Sequence, residues 1–158
     1  MCLSEKGITT DKLPKWIDGW KIFLQDEEGN LFGYSKYTTK YQYAFDENGV
    51  VEDTNEKSIP ITYWVQNALG VHEKQSMEYQ SGFHVFINKE KAEVQWDEIQ
   101  DALSWMGFAA KDKYALHGKQ FVLRRVRLMN IVVKGKDADT GIKTYVGRKL
   151  KLLEATEH

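Results

Sequence analysis

The chain has one cysteine and two prolines in 158 residues. A single cysteine excludes an internal disulfide framework. Scarce proline argues against a long low-complexity linker. No apolar run approaches the roughly 18 residues that a membrane-spanning helix needs. The opening Met1-Cys2-Leu3-Ser4-Glu5-Lys6 lacks the apolar core of a signal peptide. The expectation is a cytoplasmic protein with no membrane partner. Familiar catalytic signatures are missing too: no Walker loop, dinucleotide fingerprint, Gly-x-Ser-x-Gly elbow or His-Glu-x-x-His helix occurs. His72, His84, His117 and His158 have no close pairing, and Cys2 has no thiol partner. No metal site and no cofactor is therefore implied. Asp137-Ala138-Asp139 beside Gly141 lacks the third acidic ligand and distal glutamate of a calcium loop, and reads as a turn.

What the chain does have is rings and uneven charge. Aromatics make up 13%, with five Trp and eight Tyr, and each ring buries a large area. A chain of this length is expected to form one domain, with 1–15 as a loosely attached lead-in anchored by Leu3 and Leu13. Net charge is −1, yet residues 1–110 carry 10 Lys/Arg against 18 Asp/Glu, and residues 111–151 carry 12 against 3. Such asymmetry marks either a polyanion-binding segment or charges that compensate once folded.

The elements read as follows. Trp20–Leu24 forms a strand, Asp26–Asn30 a turn and Leu31–Tyr34 a return strand. Tyr37, Thr39, Tyr41, Tyr43 and Phe45 alternate, so they share one strand face. Beside Lys36 and Lys40 they could stack bases, or equally cover a core. Asp46–Gly49 is a turn. Ile59–Val65 is β-rich with Pro60 suggesting a strand start or edge, although Tyr63–Leu69 ended by Gly70 could instead be a helical turn. Val71–Gln80 carries no clear pattern. Gly82–Ile87 is a strand, and an amphipathic helix over 88–106 follows, capped by Asn88 and stopped by Gly107. Its apolar stripe is Ala92, Trp96, Ile99, Leu103 and Met106, with Val94 and Trp105 opposite. Phe121–Val133 is a long strand with one wet and one buried face. A hairpin tip at Lys136–Gly141 and a last strand through Leu152 complete the chain, with Gly147 marking a bulge. The fold class is α+β: a mainly antiparallel sheet with one principal helix packed on it.

His84 is the one titratable group wrapped by aromatics inside regular structure. It is either a buried neutral imidazole bonded to backbone or a catalytic or ligand contact in a cleft. The basic strands offer a polyanion candidate set of Arg124, Arg125, Arg127, Lys143, Arg148, Lys149 and Lys151. Trp105 is a candidate interaction residue. Cys2, if exposed by removal of Met1, would be a nucleophile without an identifiable partner.

The Met-Cys-Leu start, the Trp20–Phe23 strand, and Gly82-Phe83-His84-Val85-Phe86 followed by Lys89-Glu90-Lys91-Ala92 resemble small bacteriophage and bacterial proteins with no assigned activity. That resemblance implies a phage-like setting and no chemistry. The same Gly-Phe-His-Val-Phe-Ile-Asn-Lys-Glu-Lys-Ala segment is also similar to the ADP-ribosyltransferase fold. That likeness implies a His or Arg on the first strand and a late Glu, where this chain offers Trp20, Lys21 and Glu154. The leading expectation is a non-enzymatic binding module whose partner is a host protein or nucleic acid. The alternatives are a nucleotide binder or enzyme with a cleft at His84, and a homo-oligomer built on a strand edge or Trp105.

Overall fold

The computed structural model describes residues 3–33, 42–54, 58–106, 118–138 and 140–153, without the side chains of 103–106. Among the described residues, eight strands and one helix follow in the order β1 (Trp16–Gln25), β2 (Leu31–Phe32), β3 (Val50–Glu52), β4 (Ser58–Gln66), β5 (His72–Gln80), β6 (Phe83–Phe86), α1 (Lys89–Met106), β7 (Gln120–Lys136) and β8 (Lys143–Leu152). All pairings between them are antiparallel, so the chain is α+β and mostly sheet.

Four strands close on themselves. β1 pairs with β7, β7 with β8, β8 with β6, and β6 returns to β1 through Trp20 and Phe86. Closure removes the free edges that invite aggregation. It also gives each strand an inside and an outside face. Ile17, Phe23, Phe83, Val85, Val126, Leu128, Tyr145 and Leu150 form the inner cluster. The opposite parity of β1 and β7 supplies Trp20, Ile22, Leu24, Phe121 and Leu123 to an outer cluster that also holds Ala92, with Trp96 and Ile99 against it.

Two local features allow the ring to shut. At Gly19 a Cβ would lie 2.5 Å from the Phe86 carbonyl oxygen, so only glycine lets β1 approach β6 this closely. Asn130 takes φ 53°, a conformation asparagine tolerates. Just beyond it, the β7–β8 register shifts between Ile131 and Val133. The extra residue therefore sits on β7, opposite Gly147 rather than at it. A bulge bends its strand, and this one falls where the 17-residue β7 has run past β1 and continues against β8.

Three turns share one chemistry. The side-chain oxygen of Asp26, Asp46 or Asn67 accepts the backbone amides two and four residues on, at 2.8–3.0 Å. The glycine at the fourth position has φ between 75° and 88° in each. Asx side chains hold such turns and glycine supplies the positive φ. The third of them makes 67–70 a hairpin turn, so the helical alternative over Tyr63–Leu69 is wrong. β4 and β5 form a separate two-stranded sheet, with Pro60 on a strand that pairs on one side only. The base of this hairpin packs through Ile61 and Tyr79 on Leu3, Val133 and Val146. Its far end exposes Trp64, Val65, Leu69 and Val71.

The lead-in is held more firmly than its polarity suggests. Leu3 is buried, and Leu3 and Thr9 bridge to Asp137 and Lys134. In α1 the Asn88 Oδ1 accepts the Lys91 amide at 3.0 Å, the expected cap. Ala92 is fully buried and Val94 exposed, as the helical stripe requires. Gly107, Tyr37, Thr39, Tyr41, Cys2 and Glu154, and the side chains of Leu103, Trp105 and Met106, lie outside the described residues. Tyr43 and Phe45 turn inward onto Phe23, with ring centroids 5.5 and 6.4 Å away. They serve the core.

Candidate nucleic-acid interface

Side chains directly opposite one another in paired strands share a face. β7 sets Arg127 against Asp18 of β1 on one side and Lys151 of β8 on the other. Met129 likewise lies between Trp16 and Lys149, and Arg125 lies opposite Trp20. Arg125, Arg127, Lys149 and Lys151 therefore stand together on the outer face of the ring. Their inner-face neighbours Val126, Leu128 and Leu150 are fully buried.

Two side chains organise this patch. Trp16 is 53% exposed, and the Arg127 guanidinium carbon lies 4.3 Å from its ring centroid. A guanidinium over an indole face is held there by the ring's negative quadrupole. Asp18 grips Arg127 with a fork of two bonds, Nε to Oδ1 at 2.7 Å and Nη2 to Oδ2 at 3.2 Å. It also lies 3.6 Å from Arg125. The bond from Arg127 holds the Asp18 carboxyl below its usual range. Lys149 faces Glu52 across β3. Lys151 enters no ion pair among the described residues.

The other three cations of the sequence-derived set do not join the patch. Arg124 belongs to the inner parity of β7, with Val126 and Leu128. Adjacent strand residues point to opposite faces, so its neighbour Arg125 cannot share its surroundings. Arg148 is committed to structure: it donates to the Ser81 carbonyl at 2.7 Å and pairs with Asp53 at 3.4 Å. Lys143 sits opposite Lys136 at the far end of the hairpin, its ammonium 5.8 Å from the Tyr145 ring centroid. The sequence grouped these residues by proximity in the chain. Strand parity and the bulge separate them. Trp16, which lies between the 1–15 lead-in and the strand expected from Trp20, belongs to the patch. Its signal was the alternation Trp16, Asp18, Trp20.

His84 is enclosed. It is buried on the central strand β6, its Nε2 lies 2.9 Å from the Tyr79 hydroxyl, and it bonds the Gly82 backbone. The Tyr79 oxygen in turn accepts the Leu3 amide at 3.1 Å. The arrangement fits a neutral ring in which Nδ1–H donates to Gly82 and Nε2 accepts from Tyr79. Burial, with the nearby Lys21 charge, pushes the His84 pKa down to about 3. Cavities of about 510, 420 and 260 Å³ are all walled without His84. A buried group with both nitrogens engaged is a fastening, and no His84 atom faces these three cavities among the described residues.

No family model, curated protein or solved structure matches this chain.

Function therefore rests on the molecule's own surfaces. Among the described residues no group of His, Cys, Asp and Glu is placed to hold a metal ion. No described helix is long and apolar enough to cross a membrane. Of the ADP-ribosyltransferase-like positions, Trp20 is in the outer cluster, Lys21 is buried, and Glu154 lies outside the described residues.

Proposed function

We propose that the protein is a non-enzymatic binding module of a phage-like genome. It acts in the cytoplasm and engages single-stranded nucleic acid on the outer face of β1, β7 and β8. The observation that carries this reading is Arg127 stacked on the half-exposed Trp16, with Lys151 directly opposite. Single strands are held by cations that track the backbone and by aromatic rings on which bases stack. The patch offers both within one cross-strand span. The helix is braced on the Trp20 and Leu123 end of the same face, and Trp16 at the other end is half-exposed among the described residues. Asp18 moderates the charge while fixing Arg127 in place.

The experiment is a titration of isotopically labelled protein with a short single-stranded oligonucleotide. Signals of Trp16, Arg127, Met129 and Lys151 are expected to move together. Movement confined to the exposed hairpin end at Trp64 and Leu69 would replace the nucleic-acid reading with a protein partner.

A further inference from the structure

We propose that the mouth of the strand ring binds a small oxyanion, a phosphate or a carboxylate, through Arg124. This site lies on the opposite side of β7 from the basic outer patch and does not depend on it.

Lys21 and Arg124 stand directly opposite each other on the inner face of β1 and β7. Like charges in such a pair repel, and an interior face strengthens the repulsion. Yet neither cation joins an ion pair among the described residues. Lys21 resolves its burial by donating to the His84 carbonyl at 2.9 Å. Arg124 does not: its Nε is buried and has no hydrogen-bond partner. A buried N–H left unbonded is costly, so the protein itself leaves this guanidinium under-satisfied.

The space for that group is present. Arg124 lines a cavity of about 260 Å³ with Asn30, Leu31, Gln42, Tyr43 and Phe45. Its size falls below the roughly 300–1,000 Å³ of sites for drug-sized ligands, which restricts the occupant to a small group. Its lining mixes apolar Leu31, Phe45 and Leu152 with polar Asn30 and Gln42. Gln42 Nε2 donates to Asn30 Oδ1 at 3.0 Å, and Asn30 Nδ2 donates to Asp26 Oδ2 at 3.0 Å. That chain of bonds ties the Asp26 carboxylate to its own loop. Among the described residues the wall of the cavity thus holds one guanidinium and no acid. Arginine suits this role because its planar fork matches carboxylate and phosphate oxygens.

The test uses the full chain with sodium phosphate or sodium acetate, at ionic strength held constant with chloride. Thermal unfolding and amide spectra are recorded for the wild type, Arg124→Lys and Arg124→Met. A ligand that binds only the folded state raises Tm. The wild type is expected to gain a few degrees with at least one anion at about 10 mM, and signals of Gly29, Asn30, Gln42 and the Arg124 side chain are expected to shift along one saturating curve. Arg124→Met is expected to lose the gain entirely. Arg124→Lys, which keeps the charge and removes the fork, is expected to bind at least about tenfold more weakly. It serves as the decisive variant if the methionine form does not fold. Saturation with phosphate alone or acetate alone supports the site and names its ligand. Absence of any saturable shift with both anions overturns it. So does an equal Tm gain in the folded variants, or shifts at Trp16 and Lys151 in place of Asn30 and Gln42.

Discussion

The Tyr79 hydroxyl lies 2.9 Å from His84 Nε2 and accepts the Leu3 amide at 3.1 Å. One oxygen thus joins three segments: the first residues of the chain, the β4–β5 hairpin and the central strand of the ring. An isolated two-stranded hairpin is at best marginally stable in water, so this fastening and the apolar contacts around it keep the hairpin in place. Tyr79→Phe preserves the ring and strands two buried polar atoms. Unfolding in urea is expected to show a loss of about 2 kcal/mol. Faster amide exchange in 72–80 than in β7 would locate the loss in the hairpin.

Acid should act through the same contact. The folded His84 pKa is lowered to about 3, against an unfolded value near 6.5. Between these values the unfolded chain binds a proton that the folded chain refuses. Stability is therefore full above about pH 6.5 and falls as pH drops toward 3, by up to ~5 kcal/mol. Urea unfolding at pH 7 and pH 4.5 measures the slope. His84→Gln is expected to flatten it whatever its own stability.

Lys21 predicts the reverse trend in base. Burial lowers its pKa from 10.5 to about 8. From pH 8 to 10 the folded amine is increasingly neutral while the unfolded one remains charged. Stability is expected to rise across that window, by no more than about 3 kcal/mol. Above pH 10 Tyr43 works the other way, because burial raises its folded pKa to about 12. The unfolded phenol ionises first, and stability falls. Lys21→Met should abolish the rise and leave the fall.

Ring closure makes Gly19 irreplaceable. An added methyl would meet the Phe86 carbonyl oxygen and Val85 Cγ1, each at 2.5 Å, and neither backbone nor packed valine can retreat without opening β1 from β6. Gly19→Ala is expected to cost about 2–3 kcal/mol in chemical unfolding. A substitution tolerated within ~0.5 kcal/mol, the range of ordinary surface changes, would mean that the two strands do not approach this closely.

Much of the frame was legible because local chemistry and tertiary demand agree. Asp26-x-x-Gly29 and Asp46-x-x-Gly49 announce their turns by composition. Asn88 announces the helix, and the alternation of Arg125 and Arg127 with Val126 and Leu128 announces two faces. The third turn, at Asn67 and Gly70, has the same residues but follows Tyr63-Trp64-Val65, a run compatible with helix. Strand β5 was hidden because Met77 and Tyr79 are its only partly buried or buried positions. A strand exposed on nearly every side carries no alternation to read. The site was misdrawn for a related reason. Arg124 and Arg125 are neighbours in the chain and lie on opposite faces of the sheet. Only pairing partners from 100 residues away decide which face is the interior.

Asp18 offers a sharp check on the outer patch, since it neutralises charge while positioning Arg127. Asp18→Asn removes one negative charge and keeps the shape. The ion pairs it breaks are partly exposed, so the stability cost is expected to stay below about 1 kcal/mol. Oligonucleotide binding at low salt should tighten about threefold or more. Weaker binding would show that Arg127 must be held by Asp18 to be competent.

The most direct measurement of the proposed function is fluorescence anisotropy of a labelled single-stranded oligonucleotide as sodium chloride is stepped upward. Neutralising up to four phosphates on a single strand gives a slope of about −2 to −3 in log K against log salt. The wild type is expected to follow that slope. Arg127→Ala with Lys151→Ala should flatten it by about one unit or more, and Trp16→Ala should weaken binding about equally at every salt concentration. Binding that is absent at low ionic strength, or that keeps its full slope in the double variant, would contradict the account.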